Sequence, residues 1–127
     1  MRVTAAALAL LITACASVAP RVAVSGVADR LYCGRNVEGR AEVSDAEVGA
    51  FLDEVVEPRF PEGYTVWTAV GHWKGGEEKS LVLEMVHPYG STFDRKVREI
   101  ADEYRRRFHQ AAVLRTTSPA LMELIDE

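Results

Sequence analysis

Three histidines, His72, His87 and His109, are the first residues in this sequence to consider as metal ligands. His72 is predicted beside the turn of a β-hairpin and His87 at its open end, so about seven strand residues at roughly 3.3 Å each separate them. A zinc ion holds its ligands at about 2 Å and cannot bridge that distance. His109 follows a predicted helix, whose dipole favours a partly charged imidazole there. The spacing therefore predicts no shared metal site.

Glu84 is the leading candidate for acid–base chemistry, because it lies within the otherwise apolar run LVLEMV at 81–86. A carboxylate inside an apolar central strand would be desolvated, and its pKa would be raised. The alternative, which the sequence favours, places Glu84 on a solvated sheet face, paired with a base such as Arg115 or Arg35 on a neighbouring strand. The other candidate catalytic residues are His72, Arg115 and Tyr32.

Several well-known catalytic patterns are missing from the sequence. It has no G-x-S-x-G elbow, no cysteine with a plausible nearby histidine and no glycine-rich phosphate loop before a helix. We therefore expect neither nucleophilic catalysis nor a cofactor. The net charge of -4 argues against nucleic-acid binding, which requires a basic surface to neutralise phosphates.

The first residues, MRVTAAALALLITAC, have the features of an export signal: Arg2, an apolar run over 3–12, and small residues before Cys15. The run is too short to span a bilayer, which requires about 20 apolar residues. The segment ITAC resembles a bacterial lipobox, which predicts a signal peptide over 1–14 and lipid on Cys15. Ordinary signal cleavage nearby is the alternative. The lipobox interpretation predicts an exported lipoprotein, such as a palmitate-bearing one, on a membrane of the cell envelope, facing the periplasm or the exterior.

The remaining chain has the size of one domain, because 127 residues that are 48% hydrophobic can bury one modest core. Residues 15–26 are small and apolar without a strong period, which predicts a tether, and 27–127 are expected to form the domain. Cys33, in the segment RLYCGR, is predicted to be a small buried hydrophobe. A disulfide with Cys15 and a reactive thiol are its alternatives.

The spacing of apolar residues predicts a strand over 27–36 and then a helix. Ser44 and Glu47 form a capping box, in which each side chain satisfies a backbone amide at the start of the helix. Pro58 disfavours helical geometry at the preceding residue, so the helix should end there. The apolar face of this helix is predicted to consist of Val48, Phe51, Leu52 and Val55.

Two strands, YTVWTAVGHW and KSLVLEMVH, flank Gly75 and Gly76 and predict a hairpin. Trp67 and Trp73 alternate onto one side of it. If that side faces away from the helices, the two rings form an exposed interaction surface with Val82 and Val86, which monomers rarely tolerate without a partner. If it faces the helices, both rings are core. An uncertain turn length leaves the register undetermined by one residue, so both alternatives stay open.

The segment STFDRKVREIADEYRRRFH predicts a second helix, and AAVLRTTS predicts a last strand before Pro119. The order strand, helix, strand, strand, helix, strand is that of the ferredoxin-like α+β fold. It implies a four-stranded antiparallel sheet with both helices on one face. The apolar stripe of the second helix is predicted to be Phe93, Val97, Ile100, Ala101, Tyr104 and Phe108.

Several segments together resemble a bacterial family called domain of unknown function 3574, whose members are often small exported or lipidated proteins. The matching segments are LYCG at 31–34, FLDEVVEPRFPEGYTV at 51–66, GHW at 71–73, KSLVL at 79–83 and YRRRFHQAAVLR at 104–115. The chain departs from the family in a shorter hairpin connection and in the tail LMELIDE. The resemblance implies the domain and the exported setting, but no catalytic residues.

Two functional hypotheses follow. The first is a non-enzymatic envelope module that is held on the membrane through lipid and buries its open sheet face against a second copy or another envelope protein. The second is a small-molecule enzyme or ligand binder of the dimeric α+β barrel type, in which paired sheets enclose a cavity. Glu84, Tyr32, His72 or Arg115 would then act on an aromatic or quinone-like compound.

Overall fold

A computed structural model describes residues 22–125, which form a four-stranded antiparallel sheet with the helices packed on one face. The strand order is β2-β3-β1-β4, so the ferredoxin-like prediction is confirmed. In chain order the elements are β1 (Val24–Gly34), α1 (Asp45–Phe51) with a π-helical turn (Leu52–Val56), β2 (Thr65–Trp73), β3 (Gly76–Pro88), α2 (Ser91–Arg107) and β4 (Leu114–Met122).

The start of α1 is set by the predicted capping box. The Ser44 hydroxyl accepts a hydrogen bond from the backbone N–H of Glu47 at 3.2 Å, and the Glu47 carboxylate accepts one from the backbone N–H of Ser44 at 2.9 Å. These two bonds satisfy amides that have no partner within the helix. The helix continues through the π-helical turn and ends before Pro58, as predicted.

The turn between β2 and β3 contains only Lys74 and Gly75, both with positive φ, at 49° and 81°. A two-residue turn of this kind matches the twist of the flanking strands and fixes their register. Trp67 therefore pairs with Val82, and Trp73 pairs with Gly76. The side chains of Leu81 and Leu83 face the helices, so both tryptophans lie on the opposite face.

The core fills the space between the helices and the sheet. The Tyr104 ring of α2 meets the Phe51 ring of α1 edge to face, with centroids 5.2 Å apart, and its hydroxyl donates a hydrogen bond to the carbonyl of Gly34 at 2.9 Å. Cys33 is a free thiol that is completely buried in this core, as predicted. Burial raises the pKa of the Cys33 thiol to about 12.

Three strand boundaries differ from the sequence prediction. β1 begins at Val24, inside the predicted tether, because it pairs with the end of β4 from Val24 onward. β3 begins at Gly76 because the turn is so short. β4 continues past Pro119, which an edge strand tolerates because one side of its backbone has no ladder partner.

The predicted signal peptide, 1–14, and the lipidation residue Cys15 lie outside the described residues. Within residues 22–125, no helix is both long enough and apolar enough to cross a membrane.

Candidate functional site

The sheet face that the helices leave uncovered, called the open face, carries an apolar row across all four strands. Directly paired residues point to the same face of a sheet, so their side chains lie side by side. Val82 is only 1% exposed at the centre, whereas Trp67 is 38% and Leu114 is 60% exposed. From one edge of the sheet to the other, the apolar row consists of Trp67, Val82, Tyr32 and Leu114.

The next row of the open face carries a charged pair. Arg30 of β1 lies opposite Glu84 of β3, and the Arg30 guanidinium donates a hydrogen bond to the Glu84 carboxylate. This hydrogen bond raises the pKa of the Arg30 guanidinium. Glu84 thus points to the solvated face and forms an ion pair, and its partner is Arg30 instead of the expected Arg115 or Arg35.

The four residues predicted as an interaction surface do not form one patch. Trp67 and Val82 are directly paired, and Val86 lies four residues farther along β3 on the same face. Trp73 is beside the hairpin turn, six residues from Val82 along β3 through its partner Gly76, which is about 20 Å. The open face therefore has the apolar row at its centre, with Trp73 near the projecting tip of the β2–β3 hairpin.

The candidate catalytic residues do not converge either. Tyr32 and Glu84 lie on the open face, in adjacent rows. Arg115 pairs with Leu31 and faces the helices, and His72 is exposed near the hairpin tip, with Nε2 3.9 Å from a carboxylate oxygen of Glu77. No position on the surface is shared by all four side chains. Among residues 22–125, no cluster of histidine, cysteine and carboxylate side chains is arranged to hold a metal ion.

A buried polar cluster that the sequence reasoning missed lies on the helix side of the sheet, centred on Asp29. Its carboxylate is completely buried and accepts two hydrogen bonds from Arg115, from Nε to Oδ1 and from Nη2 to Oδ2, each 2.8 Å. Thr117 Oγ1 donates to Oδ1 at 2.5 Å, and His87 Nε2 lies 2.9 Å from Oδ2. Arg115 also donates from Nη1 to Asp94 of α2 at 2.7 Å. The cluster links three strands to a helix.

Burial alone would raise the pKa of Asp29, but hydrogen bonds from Arg115, Thr117 and His87 outweigh it and hold the pKa below its ordinary value. Asp29 is therefore a carboxylate that accepts hydrogen bonds. His87 Nδ1 lies 2.8 Å from the carbonyl oxygen of Pro88, which also only accepts.

The Asp29 and His87 pair resembles the orienting half of a catalytic triad, but its geometry gives no free catalytic nitrogen. Both ring nitrogens of His87 are engaged within the protein, and the residue is 4% exposed. Phe93 stacks on its ring with centroids 4.9 Å apart. A general base needs a nitrogen within reach of a substrate proton, so this cluster serves the fold. Its signal in the sequence was the position of Asp29, which alternates in step with the inward residues Leu31 and Cys33.

A shallow groove of about 380 Å³ lies between α2 and the start of β4. Three guanidinium groups line it, but each already has a carboxylate partner in the same region. Arg98 pairs with Asp94, and Arg105 pairs with Asp102, while Arg115 is held by the buried cluster. This neutralisation gives the groove little attraction for an anion.

The fold and the uncovered sheet face define an α+β domain of the ferredoxin-like type. The chain belongs to the family described as Protein of unknown function (DUF3574), whose sequence model matches residues 28–124. A comparison with the curated proteins gives no match.

Two solved structures of a phage protein are similar in fold. One is described as a phage SAM lyase in complex with S-methyl-5'-thioadenosine; it has a TM-score of 0.55 and 16% sequence identity, over 84% of this chain and 94% of that chain. The other is the phage SAM lyase in its apo state, with a TM-score of 0.54 and 16% identity, over 81% of this chain and 91% of that chain. At this identity the likeness concerns the fold alone.

Proposed function

We propose that this protein is a lipid-anchored interaction module of the bacterial cell envelope, in which the open face of one copy packs against the open face of a second copy. The observation that carries the proposal is the apolar row across all four strands. Its outer members, Trp67 and Leu114, remain exposed, and apolar strips on a sheet face are usually covered by a partner.

The charged pair beside the apolar row favours a second copy as the partner. A two-fold axis near the centre of the open face would bring Arg30 of one copy towards Glu84 of the other, and the reverse contact would form at the same time. The open face thus carries one positive and one negative charge that can pair with their opposites on a second copy of the same face. Such an arrangement sets orientation and register more than it adds affinity.

The proposed anchor rests on the sequence MRVTAAALALLITAC, which has the pattern of a lipoprotein signal ending at Cys15. Export would follow from that signal. Two copies held on the same membrane surface meet at a far higher effective concentration than two copies free in solution, so the anchor strengthens an open-face contact that the domains already make. Replacing Cys15 by Ser should release the protein from the membrane fraction, and unchanged fractionation would remove the anchor from the proposal.

The open-face contact can be tested by a matched pair of substitutions in the full chain, purified in mild detergent. Leu114 belongs to the apolar row and is 60% exposed, whereas Val70 is 62% exposed on the other face of the sheet. Both lie on edge strands, so each tolerates a polar replacement equally well. Leu114→Asp should convert dimer to monomer in sedimentation velocity, and Val70→Asp should not. A monomeric parent protein, or equal behaviour of the two variants, would contradict the proposal.

A second candidate function is small-molecule binding between the paired open faces. It is favoured by the Tyr32 hydroxyl within the apolar row and by the Arg30 and Glu84 pair beside it, because these polar groups could orient an aromatic ligand. The similarity to the phage SAM lyase is one of fold, so it suggests S-methyl-5'-thioadenosine only as a first ligand to test. A saturable change in Trp67 fluorescence that is lost in Trp67→Phe would support this function, and no change would oppose it.

A further inference from the structure

One end of the sheet exposes a set of large apolar side chains that is separate from the apolar row. It is the end at which β1 begins and at which β3 and β4 finish. Each of these side chains is at least 49% exposed, and most are exposed by three-quarters or more. This surface, called the apolar end, consists of Val22, Val24, Tyr89, Leu121, Leu124 and Ile125.

The strand pairing places Val24 and Leu121 at the same end of the sheet, on opposite faces, and Val22, Leu124 and Ile125 continue the chain beyond these strand ends. Val24 of β1 pairs with Met122 of β4, and the neighbouring Ser25 pairs with Leu121. On the other side of β1, Gly26 pairs with Pro88 of β3, which Tyr89 follows. The chain therefore presents apolar side chains from three adjacent strand ends in one region. A patch of this kind on a soluble surface marks a contact with protein or lipid.

The chain enters the apolar end from the proposed lipid anchor. Seven peptide links join Cys15 to Val22, and fully extended they span about 25 Å at most. A lipid on Cys15 therefore keeps the apolar end within that distance of the membrane, whichever way the domain turns. We infer that the apolar end rests on the lipid surface and inserts its side chains into the boundary between headgroups and acyl chains. This inference rests on the anchor in the proposed function.

The chemistry of the surface indicates which lipids it fits. Tyr89 has the apolar ring and polar hydroxyl that favour the membrane interface. Glu123 is exposed within the apolar end, and the described segments that form this end, 22–25, 88–89 and 121–125, carry no cationic side chain. Anionic headgroups would repel the Glu123 carboxylate, so the apolar end fits a surface dominated by zwitterionic lipid.

Contact at this end would fix the orientation of the domain. The strands would stand away from the membrane, and the open face would look sideways along it, towards a neighbouring copy. The hairpin tip, at the other end of β3, would lie about 40 Å from the lipid, since twelve residue steps separate Gly76 from Pro88.

The test is site-specific fluorescence in the full lipidated chain, reconstituted in vesicles of phosphatidylcholine. A polarity-sensitive dye on Leu124→Cys would report the apolar end, and the same dye on Val70→Cys would report the hairpin arm. Cys33 is buried and the pKa of its thiol is raised to about 12, so it should resist labelling. The parent protein treated with the same dye serves as the blank. Leu121→Cys is the second reporter, in case one position perturbs the domain.

We expect a blue shift at both reporters of the apolar end, together with quenching by brominated acyl chains several-fold stronger than at Val70→Cys. Adding phosphatidylglycerol should weaken the quenching. Quenching no stronger than at Val70→Cys, or contact seen only with anionic lipid, would overturn the inference. A blue shift without brominated-lipid quenching would also overturn it, because protein would then cover this end. Membrane fractionation of Cys15→Ser distinguishes failure of this inference from failure of the proposed anchor. Release of this variant confirms the anchor, even if the dyes at the apolar end report an aqueous environment.

Discussion

Asp29 and Arg115 form a two-pronged ion pair that joins the first strand of the domain to the last, with both nitrogen-to-oxygen distances at 2.8 Å. The two residues are 86 positions apart in the sequence. The parallel geometry of a guanidinium and a carboxylate gives such a pair both strength and direction. It lies on the helix side of the sheet, where the same carboxylate also meets Thr117 and His87.

Replacing Asp29 by Asn should destabilise the fold strongly. The change leaves the half-buried Arg115 and the buried His87 without the carboxylate that both contact, and breaking one side of a buried ion pair typically costs about 3 kcal/mol or more. Urea unfolding followed by circular dichroism measures the loss. The control is Asp102→Asn, whose carboxylate is exposed beside Arg105 and whose removal should cost little. Equal losses of unfolding free energy in the two variants would show that the buried cluster stabilises the fold no more than an exposed ion pair does.

The same cluster predicts how stability depends on acid. The pKa of Asp29 is held below its ordinary value of 3.8, so the folded state keeps the carboxylate ionised more readily than the unfolded chain does. Its contribution is therefore fully present above that value and is lost as the pH falls through the lower, folded pKa. Urea midpoints measured from neutral to strongly acidic pH should fall more steeply for the parent than for Asp29→Asn. Parallel curves would contradict this assignment.

The capping box can be tested against a serine that does not cap. Ser44→Ala removes the hydroxyl that accepts the Glu47 amide and should cost about 1 kcal/mol of unfolding free energy. The backbone amide and hydroxyl of Ser44, with Arg40, lower the pKa of Glu47 to about 2. Ser91 opens α2 without a side-chain cap, so Ser91→Ala is the control and should cost much less. Similar losses for both would remove the box as a stabilising element.

Tyr104→Phe should cost about 1 to 2 kcal/mol, because it leaves the Gly34 carbonyl without its hydrogen-bond donor while keeping the ring in place. Burial raises the pKa of the Tyr104 phenol, so this phenol should ionise only when the protein unfolds in alkali. Ultraviolet absorbance in alkali follows that change. Tyr89→Phe is the matched control, because its ring is exposed, and a comparable stability loss there would undermine the explanation.

Charge reversal provides a sharper test of the open-face dimer than truncation does. Arg30→Glu gives an open face with two acids in the charged row, and Glu84→Arg gives one with two bases. Each variant alone should associate less than the parent does, because like charges face each other both within and between copies. An equimolar mixture should recover association in sedimentation velocity, since opposite faces then meet. A mixture no more associated than its components would exclude contact between these rows.

The parts of the fold that the sequence revealed are those set by local chemistry. The capping box at Ser44, the helix end before Pro58 and the apolar stripe of α2 depend on residues a few positions apart. The face carrying Trp67 depended on the length of one turn, because a shift of one residue moves every side chain to the other face. The positive φ of Lys74 allows the two-residue turn that fixes the register, and a lysine gives no indication in the sequence that it adopts this conformation.

The contacts that the sequence did not reveal are long-range. Glu84 was expected on the solvated face with a basic partner, but choosing Arg30 over Arg115 requires the pairing of β1 with β3. The cluster around Asp29 needs three strands in register at once. An acid that alternates in step with buried apolar residues was its visible sign, and such a residue implies a buried cationic partner elsewhere in the chain.

The proline in β4 makes the two edges of this sheet unequal. Pro119 lies within the edge strand and has no backbone N–H, so a chain adding along that edge would find its ladder of hydrogen bonds interrupted. The edge formed by Thr65–Trp73 has no such interruption. Head-to-tail growth, in which β4 of one copy meets β2 of the next, would produce an endless fibre. Pro119 disfavours this open-ended growth. A two-fold contact through the open faces would instead close after two copies and would not lead to a fibre.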